Sequence, residues 1–390
     1  MEYDVIIAGC GLSGAVCARE LADIGKRVII LERRDHIGGN MYDYTNKDGI
    51  LVHKYGPHTF HTNNQMLYEY MCRYSEWNDY RLTCGAVMNG KYSPVPFNFD
   101  TIDIFYGKEK AKSIQHSLRK AYPDRKTVPV LELLQHSNPL IREYAEFLYE
   151  NDYSLYTAKQ WGVAPKEISP GVLKRVPVRL DNRTGYFEDT WQVMPEVSYA
   201  DFYAKLLDSP NIEVRLNTDA RSKISLDETS GSIRYNGKVF QGYVIYTGPT
   251  DELFQMKYGS LPYRSLKFVW KTEQIKSFQM DPVVAYPQAE GYTRITEYTK
   301  LPVQDVGNIT VYAIEYPVPY KEGKSVEPYY PVLTDQSQKQ YQKYRKLADR
   351  YKKLYLCGRL ADFQYYNMDQ ALEKALHTAD KIKYADREGS

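Results

Sequence analysis

A glycine-rich turn near the start of the chain constrains the fold more than any other feature. The β-branched run Val5–Ala8 leads into the pattern Gly-x-Gly-x-x-Gly, and a helical segment then leads to a second apolar run that ends at Glu32. The three glycines permit a tight turn, close approach of backbone to phosphate, and close packing of helix on strand, while the amides at the start of the helix favour an anion. Glu32 is placed to accept hydrogen bonds from a ribose. The predicted dinucleotide contacts are Gly9, Gly11, Leu12, Ser13, Gly14 and Glu32, and the alternative is a glycine-rich turn without a ligand.

The residues after Glu32 separate two kinds of dinucleotide. Residues 32–39 resemble the Glu-x-x-x-x-x-Gly-Gly sequence that FAD enzymes of the glutathione-reductase type commonly carry. Arg33 and Arg34 suggest instead the 2′-phosphate of NADP, but Glu32 would repel that phosphate. The sequence therefore predicts FAD, and Arg33, Gly39 and Asn40 join the cofactor contacts.

Composition excludes several classes of protein. The chain has 390 residues, of which 43% are apolar and 26% charged, which is typical of a globular protein with two or three structural units. A net charge of +2 gives no general attraction to nucleic acid or anionic membranes, and no apolar stretch is long enough to span a bilayer. The first four residues lack signal-peptide features, and the five cysteines show no CxxC spacing. We therefore expect a cytoplasmic protein with reduced thiols, no metal site, no nucleic-acid partner and no membrane insertion.

Tyrosine is unusually common, with 38 tyrosines against 12 phenylalanines. A tyrosine offers a ring for stacking and a hydroxyl that can bind phosphate or sugar. This composition favours a nucleotide-linked sugar over an apolar substrate.

Periodicity along the chain predicts an α/β fold assembled from interleaved segments. Apolar residues at helical spacing run from 102 to about 151, and alternating residues between 261 and 316 predict antiparallel strands. Asn-Gly dipeptides predict hairpins within 84–95 and 233–246, and residues 63–80 are predicted as one helix. The predicted architecture is a Rossmann-like FAD-binding domain with a helical insertion and an antiparallel β-sheet substrate domain. Its segments are 1–80, 191–255 and 350–390 for the FAD domain, 100–165 for the insertion, and 81–99, 166–190 and 256–349 for the substrate domain, with a mobile loop near 171–183.

Three segments in the first half of the chain carry candidate site residues. His58 and His61 lie in a Gly-Pro turn without acidic or cysteine partners at ligand spacing, so they predict contacts to a flavin or sugar, or simply turn histidines bonded to backbone. Residues 156–162 offer stacking faces for a base or sugar, and form equally well a packing cluster at a helix end. The basic stretch 174–187 suits a loop that closes over a diphosphate, or a solvated surface loop.

The second half adds four short motifs, and no Ser-His-Asp set, P-loop or catalytic carboxylate pair accompanies them. The motifs are Tyr292-Thr293-Arg294, residues 327–331, Gly358-Arg359-Leu360 and residues 365–369. The last motif opens a predicted helix, whose amides can face a flavin or phosphate. Because no side-chain set for the chemistry is present, the flavin itself would have to supply it.

Together these motifs, in this order, resemble the bacterial UDP-galactopyranose mutase family over residues 5 to about 376. The resemblance implies an enzyme that isomerises the pyranose and furanose forms of UDP-galactose for cell-surface polysaccharide synthesis. It further implies that reduced FAD attacks the anomeric carbon through N5, displaces UDP and holds the sugar covalently while its ring opens and recloses. An NAD(P)H or flavodoxin-type reductant and a homodimer are also implied.

The resemblance assigns roles residue by residue. Arg175 and Arg294 correspond to clamps on the diphosphate, and Arg359 lies by the flavin. Nucleotide, sugar and phosphate contacts are implied for Tyr156, Thr157, Trp161, Tyr186, Tyr330 and Tyr365. Residues placed at the reacting centre are Arg175, Arg294, His58, His61, Tyr365 and Asn367. Additional cofactor contacts are His58, Gly248, Arg359, Met368 and Asp369.

Two positions depart from the family pattern. Asn367 stands where an acid is usual, and Asp152-Tyr153 stands where an aromatic pair is usual. These changes leave open a variant substrate, such as an N-acetyl or 6-deoxy sugar on UDP or dTDP. Two further alternatives are a redox flavoenzyme of the amine-oxidase or desaturase type, and a flavin-free module on the related GDP-dissociation-inhibitor scaffold.

Overall fold

A computed structural model describes residues 3–162, 176–322 and 326–388, without side-chain detail for 387–388.

The first structural unit is a five-stranded parallel sheet. All four strand pairs in this sheet are parallel. The strand order is Ile212–Arg215, Val28–Leu31, Val5–Ala8, Tyr243–Tyr246 and Leu354–Leu356. The central strands are buried on both faces, as their continuous apolar sequence predicts.

Helices cover one face of this sheet and a small meander covers the other. Helix Leu12–Ala22 packs against the long helix Met368–Glu388 and against Tyr199–Leu207. The opposite face carries the strands Ile224–Asp227, Ser232–Tyr235 and Lys238–Phe240 and the helix Asp335–Ala348. This arrangement confirms the Rossmann-like class predicted from the sequence.

The second unit is a seven-stranded sheet. Its order is Tyr330–Pro331, Tyr263–Glu273, Thr310–Pro319, Arg294–Glu297, Val283–Ala285, Cys84–Met88 and Lys91–Val95. Five of its pairings are antiparallel, but Val283–Ala285 runs parallel to Cys84–Met88. The antiparallel strands predicted between 261 and 316 are confirmed, and the one parallel pairing arises where the hairpin 84–95 joins from an earlier part of the chain.

A cluster of helices packs on the hairpin end of this sheet. Val130, Ile141 and Leu148 are among the side chains that form its buried core. Asn138 caps one helix and Pro139 occupies its first position, so the proline starts a helix as its missing N–H allows. The helices are Phe99–Phe105, Lys108–Ala121, Val130–Leu134, Pro139–Leu148, the π-helical turn Tyr149–Tyr153, and Ser154–Trp161.

Two local predictions are wrong. The segment 63–80 is a shorter helix, Gln65–Cys72, followed by the strand Trp77–Asp79, because that strand pairs with Trp191–Pro195 more than a hundred residues later. The segment 233–246 turns at Asn236-Gly237 as predicted, but Tyr243–Tyr246 leaves the hairpin to join the parallel sheet.

The remaining elements are short and connect these units. They are Gly39–Met41, Asp43–Thr45, Leu51–His53, Phe60–Thr62, Thr127–Val128, Val178–Arg179, Ala220–Ser222 and Thr250–Leu253. Within the described ranges, every helix is too short or too polar to cross a bilayer.

Candidate functional site

Two neighbouring cavities meet between the sheets. The first, of about 220 Å³, follows the carboxyl ends of the parallel strands, where ligands bind in open α/β sheets. The second, of about 350 Å³, lies between the helical cluster and the seven-stranded sheet. Six residues line both cavities: Asn40, His58, Tyr329, Arg359, Asn367 and Met368. A ligand in the first cavity therefore meets a ligand in the second at these side chains.

The glycine-rich turn forms a cradle in the first cavity. Gly9 has a φ of +102°, and a Cβ there would overlap the Thr247 side chain. Gly39 has a φ of +57° and packs back to back with Gly11, so that a Cβ on Gly39 would lie 2.7 Å from the Gly11 Cα. Helix Leu12–Ala22 begins at Gly11 without a side-chain cap, which leaves its first amides available to an anion. The turn thus fits a pyrophosphate, as a dinucleotide site requires.

The charges beside Glu32 favour FAD over NADP. The buried Glu32 carboxylate accepts from the amides of Cys10 (2.7 Å) and Arg34 (2.9 Å) and still lines the cavity. Arg33 and Arg34 both pair with Glu327. With that carboxylate beside them, the two arginines are already engaged and do not form a free 2′-phosphate site.

Sequence reasoning missed the far end of this cavity. Asp219, Ala220, Arg221, Tyr246, Thr247 and Glu252 line it. Arg221 pairs with Asp219, with the buried Glu252 and with Glu322, so the cation at this end is already engaged by carboxylates. These residues follow the strands Ile212–Arg215 and Tyr243–Tyr246, and that position at the carboxyl ends of the parallel strands is the signal that would have identified them.

His58 lies at the junction of the two cavities as a neutral ring. Burial, together with the nearby cations Arg359 and Arg294, lowers the pKa of His58 to about 4. Nδ1 lies 2.8 Å from the Gly56 carbonyl oxygen, which can only accept, so Nδ1 carries the proton. Nε2 is then the acceptor of this neutral ring.

His61 is held by a carboxylate in the second cavity. Its Nδ1 lies 2.9 Å from Oδ2 of Asp189, and its ring stacks on Phe187 at 3.6 Å between centroids. Asp189 also accepts from Asn63 (3.1 Å). Asp189 and Phe187 were not among the predicted residues, because they are distant from His61 in sequence.

Arg294 supplies the cation of the second cavity. It donates from Nε to Oε2 of Glu315 at 2.7 Å, and Glu315 is fully buried. Around it lie Tyr156, Tyr330, Tyr365 and Trp161, with Trp161 and Tyr330 5.2 Å apart between ring centroids. Arg359 lines the same cavity, and such a cluster of cations and phenols suits a phosphorylated ligand.

The end of helix Ser154–Trp161 is fixed by a second arginine. Arg264 donates to the carbonyls of Gln160 (2.9 Å) and Lys159 (3.0 Å), which closes the last turn. Gly162 follows at a φ of +69°, and a Cβ there would lie 2.6 Å from the Arg264 guanidinium. This contact explains the Trp-Gly ending of the motif and orients Trp161 toward the cavity.

The structure brings most of the predicted site residues together. Those that line the first cavity are Gly9, Gly11, Leu12, Ser13, Gly14, Glu32, Arg33, Gly39, Asn40, Gly248, Arg359 and Met368. Those that line the second are Tyr156, Thr157, Trp161, Tyr186, Arg294, Tyr330, Tyr365, His58, His61 and Asn367. Asp369 lines neither cavity, and its carboxylate accepts from the Gln370 amide. Arg175 and the other residues of the part 171–175 of the predicted loop 171–183 lie outside the described residues.

The described part of the chain contains no group of three or more His, Cys, Asp or Glu side chains that could hold a metal ion. The five cysteines are free thiols. The site is therefore built from glycine-rich backbone, arginines and aromatic rings.

Comparison with known families gives two matches. The family description for UDP-galactopyranose mutase matches residues 152–365, which is more than half of the chain. A second description, for an NAD(P)-binding Rossmann-like domain, matches residues 7–74. The second match covers the glycine-rich turn and the strand that follows it.

Individual proteins agree with these matches over the full length. A UDP-galactopyranose mutase of Mycoplasma genitalium is 35% identical, with 98% of this chain and 95% of that protein covered. A dTDP-fucopyranose mutase of Escherichia coli is 31% identical, with 96% of this chain and 97% of that protein covered. A crystal structure of a reduced UDP-galactopyranose mutase superposes with a TM-score of 0.74 at 16% identity and covers 99% of this chain and 94% of that one.

Proposed function

The chain belongs to the UDP-galactopyranose mutase family, and we propose that it interconverts UDP-galactopyranose and UDP-galactofuranose. It is a flavin-dependent mutase. The observation that carries the proposal is the junction at His58, Asn367 and Arg359, where a dinucleotide cradle opens directly onto a cavity lined by Arg294 and tyrosine hydroxyls. A flavin ring in the first cavity would there meet the sugar of a nucleotide in the second.

The cofactor is FAD, and it works in the reduced form. The glycine cradle would hold its pyrophosphate, Glu32 a ribose hydroxyl, and Arg359 the region of the ring. Arg359 is itself fixed by the Tyr329 carbonyl (3.4 Å) and lies 5.0 Å from the centre of the Tyr365 ring. Reduced flavin supplies a nucleophile for the anomeric carbon, which no side chain of the site replaces.

The diphosphate is bound by the cation and phenols of the second cavity. Arg294 lines the cavity, and Glu315 holds its Nε. Tyr330, Tyr365 and Tyr186 add hydroxyls, and Arg175 adds a second cation. Because the diphosphate leaves and returns during turnover, donors fixed at its position stabilise the charge that develops on it.

Two histidines flank the sugar. The neutral His58 presents Nε2 as an acceptor, and His61, fixed by Asp189, presents Nε2 on the side of the second cavity. Opening one ring form and closing the other moves a proton from one sugar hydroxyl to another. His61 is placed to take or give that proton.

A variant sugar nucleotide is the second candidate. Asn367 lines the junction of the two cavities, so it faces the sugar and replaces the acid usual there. A relative named dTDP-fucopyranose mutase is almost as similar to this chain as the UDP-galactopyranose mutases. The same reaction on a 6-deoxy or N-acetyl sugar would therefore use the same residues with a different contact at Asn367.

We further propose that the protein works in the cytoplasm as a homodimer with an NAD(P)H or flavodoxin-type reductant. Sedimentation of the purified protein tests the dimer, and flavin reduction by NADH, NADPH or reduced flavodoxin tests the donor. Redox chemistry of the amine-oxidase type is disfavoured because the second cavity holds an arginine and hydroxyls rather than an apolar cage.

The decisive experiment follows ring-form exchange by chromatography. The flavin-loaded protein is reduced with dithionite and given UDP-galactose, UDP-N-acetylgalactosamine and dTDP-fucose, each in separate reactions. We expect turnover only after reduction, and a loss of about 100-fold or more in Arg294→Ala with flavin retained. Arg175→Ala is expected to behave alike, whereas Lys267→Ala, an exposed cation on the strand Tyr263–Glu273, keeps full activity. Equal turnover in the oxidised state, or full activity in Arg294→Ala, contradicts the proposal.

A further inference from the structure

We infer that Asp152 binds the nucleoside of the substrate by accepting a hydrogen bond from a base N–H or a ribose hydroxyl. This inference rests on the proposed function, because it assigns the nucleotide to the second cavity. It deepens that function by naming the residue that selects the nucleoside.

Asp152 lies in the π-helical turn Tyr149–Tyr153 and lines the second cavity. Widened turns of this kind are rare and occur often at functional sites, because they change the direction in which a side chain points. Tyr156 follows four residues later and lines the same cavity. The carboxylate and a stacking ring are thus offered to one ligand from one helical segment.

The carboxylate has no hydrogen-bond partner among the residues that the structure describes. Lys159 is the cation that acts on Asp152, but its ammonium group donates to three backbone carbonyls, those of Tyr286, Ala289 and Tyr292, each at 2.8 Å. Burial raises the pKa of Asp152 to about 7, and Lys159 only partly opposes this effect. A desolvated acceptor without a donor is costly, and a donor on a ligand would compensate it.

The position of Asp152 in the cavity points to the nucleoside. Tyr156 is close enough to both Arg294 and Asp152 for each charge to affect its pKa, which burial raises to about 12. Tyr156 therefore lies near both the diphosphate cation and Asp152. Asp152 does not line the first cavity, where the flavin and the sugar meet. A ligand with its diphosphate at Arg294 and its sugar at the flavin then extends its nucleoside past Tyr156 toward Asp152.

The chemistry of the carboxylate restricts what it can recognise. Above its raised pKa of about 7 the Asp152 carboxylate is ionised, so it accepts but does not donate, and it repels phosphate. The uracil edge has a single donor, N3–H, between two carbonyl oxygens, and the ribose has hydroxyl donors. Both groups are compatible with one acceptor at this position, and analogues separate them.

The test measures equilibrium binding by calorimetry to the flavin-loaded protein. The ligands are UDP, N3-methyl-UDP, which lacks the base donor, and 2′-deoxy-UDP, which lacks one ribose donor. They are titrated into the wild type, Asp152→Leu and Asp152→Asn, with Glu150→Leu as control because Glu150 lies in the same turn but is exposed. Flavin absorbance and thermal unfolding verify that each variant is folded.

We expect the wild type to bind UDP about tenfold or more tightly than one of the two analogues, since a hydrogen bond to a charged group contributes ~1.5–3 kcal/mol. Weaker binding of N3-methyl-UDP than of UDP assigns the hydrogen bond to the base, and weaker binding of 2′-deoxy-UDP assigns it to the ribose. Asp152→Leu should bind UDP and that analogue equally, Asp152→Asn should restore part of the preference, and Glu150→Leu should behave as wild type.

Two results would overturn the inference: equal binding of all ligands by the wild type, or the same preference in Asp152→Leu. Because the experiment measures binding and not turnover, its result does not depend on whether the proposed mutase reaction occurs. UDP preference that depends on Asp152 in a protein without ring-form exchange would refute the mutase reaction and leave the inference intact.

Discussion

Arg294 and Glu315 are directly paired residues on neighbouring antiparallel strands, and Nε of Arg294 lies 2.7 Å from Oε2 of Glu315. The carboxylate is fully buried and also accepts from the Thr296 hydroxyl at 2.6 Å, so its own position is fixed. Glu315 thereby holds one edge of the guanidinium and leaves the other edge to the cavity. An arginine fixed in this way loses little side-chain entropy when an anion binds.

Neutralising this carboxylate should weaken the site without removing its cation. We expect Glu315→Gln to lower the free energy of unfolding by ~2 kcal/mol and kcat/KM for the nucleotide sugar by about tenfold, because a charge-assisted bond at a partly exposed arginine is lost. Denaturant unfolding and steady-state kinetics measure the two effects. Glu290→Gln, an exposed acid in the loop before Arg294, is the control and should change neither. A lower KM in Glu315→Gln would show that Glu315 attenuates the charge of Arg294 instead of orienting it.

The back-to-back packing of Gly39 and Gly11 predicts a specific loss of cofactor. In Gly39→Ala the new Cβ would lie 2.7 Å from the Gly11 Cα, so the turn must open and the phosphate cradle is displaced. We expect purified Gly39→Ala to retain less than about a tenth of the wild-type flavin, measured by the ratio of flavin to protein absorbance. Gly49→Ala is a matched control, since Gly49 also has a positive φ (+78°) but no atom lies within 4 Å of its Cβ position. Gly49→Ala should cost ~1 kcal/mol of stability and keep its flavin. Equal flavin loss in both variants would mean that backbone strain alone is responsible.

Motifs with a local physical cause were predictable from the sequence. The glycine turn, its dinucleotide contacts and the Asn89-Gly90 hairpin turn follow from spacing and turn chemistry, whereas Arg294 and Tyr330 were assigned to the site by the family resemblance. Partners joined only by tertiary pairing were not. Glu315 reaches Arg294 through strand register, and Asp189 reaches His61 across 128 residues. The strand Trp77–Asp79 was predicted as helix for the same reason, because its partner Trp191–Pro195 lies far along the chain.

The buried ring of His53 makes the folded protein sensitive to acid. Nδ1 of His53 accepts from the His58 amide at 3.1 Å, and burial lowers the pKa of His53 to about 3, with a further contribution from His58. In the unfolded chain histidine has its ordinary pKa of 6.5, so below that pH the unfolded state binds a proton that the folded state does not. Protonation of His53 therefore favours the unfolded state, and the free energy of unfolding decreases as the pH falls from about 6.5 toward about 3.

The variant His53→Asn keeps an acceptor for the His58 amide and removes the titration. Between pH 7 and pH 5, we expect the loss of unfolding free energy to be smaller in His53→Asn than in the wild type by ~2 kcal/mol. Urea unfolding at several pH values measures this difference. His116→Asn, at an exposed histidine, should leave the pH dependence unchanged. An unaltered slope in His53→Asn would show that His53 takes up its proton equally in both states.

The pair His61–Asp189 predicts a kinetic effect without a binding effect. Asp189 accepts from Nδ1 of His61 at 2.9 Å and so fixes Nε2 as the atom available to the sugar. In Asp189→Asn the amide can donate to Nδ1 and reverse the tautomer. We expect kcat to fall about 10- to 100-fold while KM and flavin content stay near the wild-type values, because neither the diphosphate contacts nor the cradle is touched. Asp189→Glu keeps the carboxylate and should restore part of kcat. Asp79 is an exposed acid on the strand Trp77–Asp79, which pairs with Trp191–Pro195, and Asp79→Asn should have no effect. A rise in KM with kcat unchanged would assign Asp189 to substrate binding, and an unchanged kcat in Asp189→Asn would remove His61 from the proton transfer.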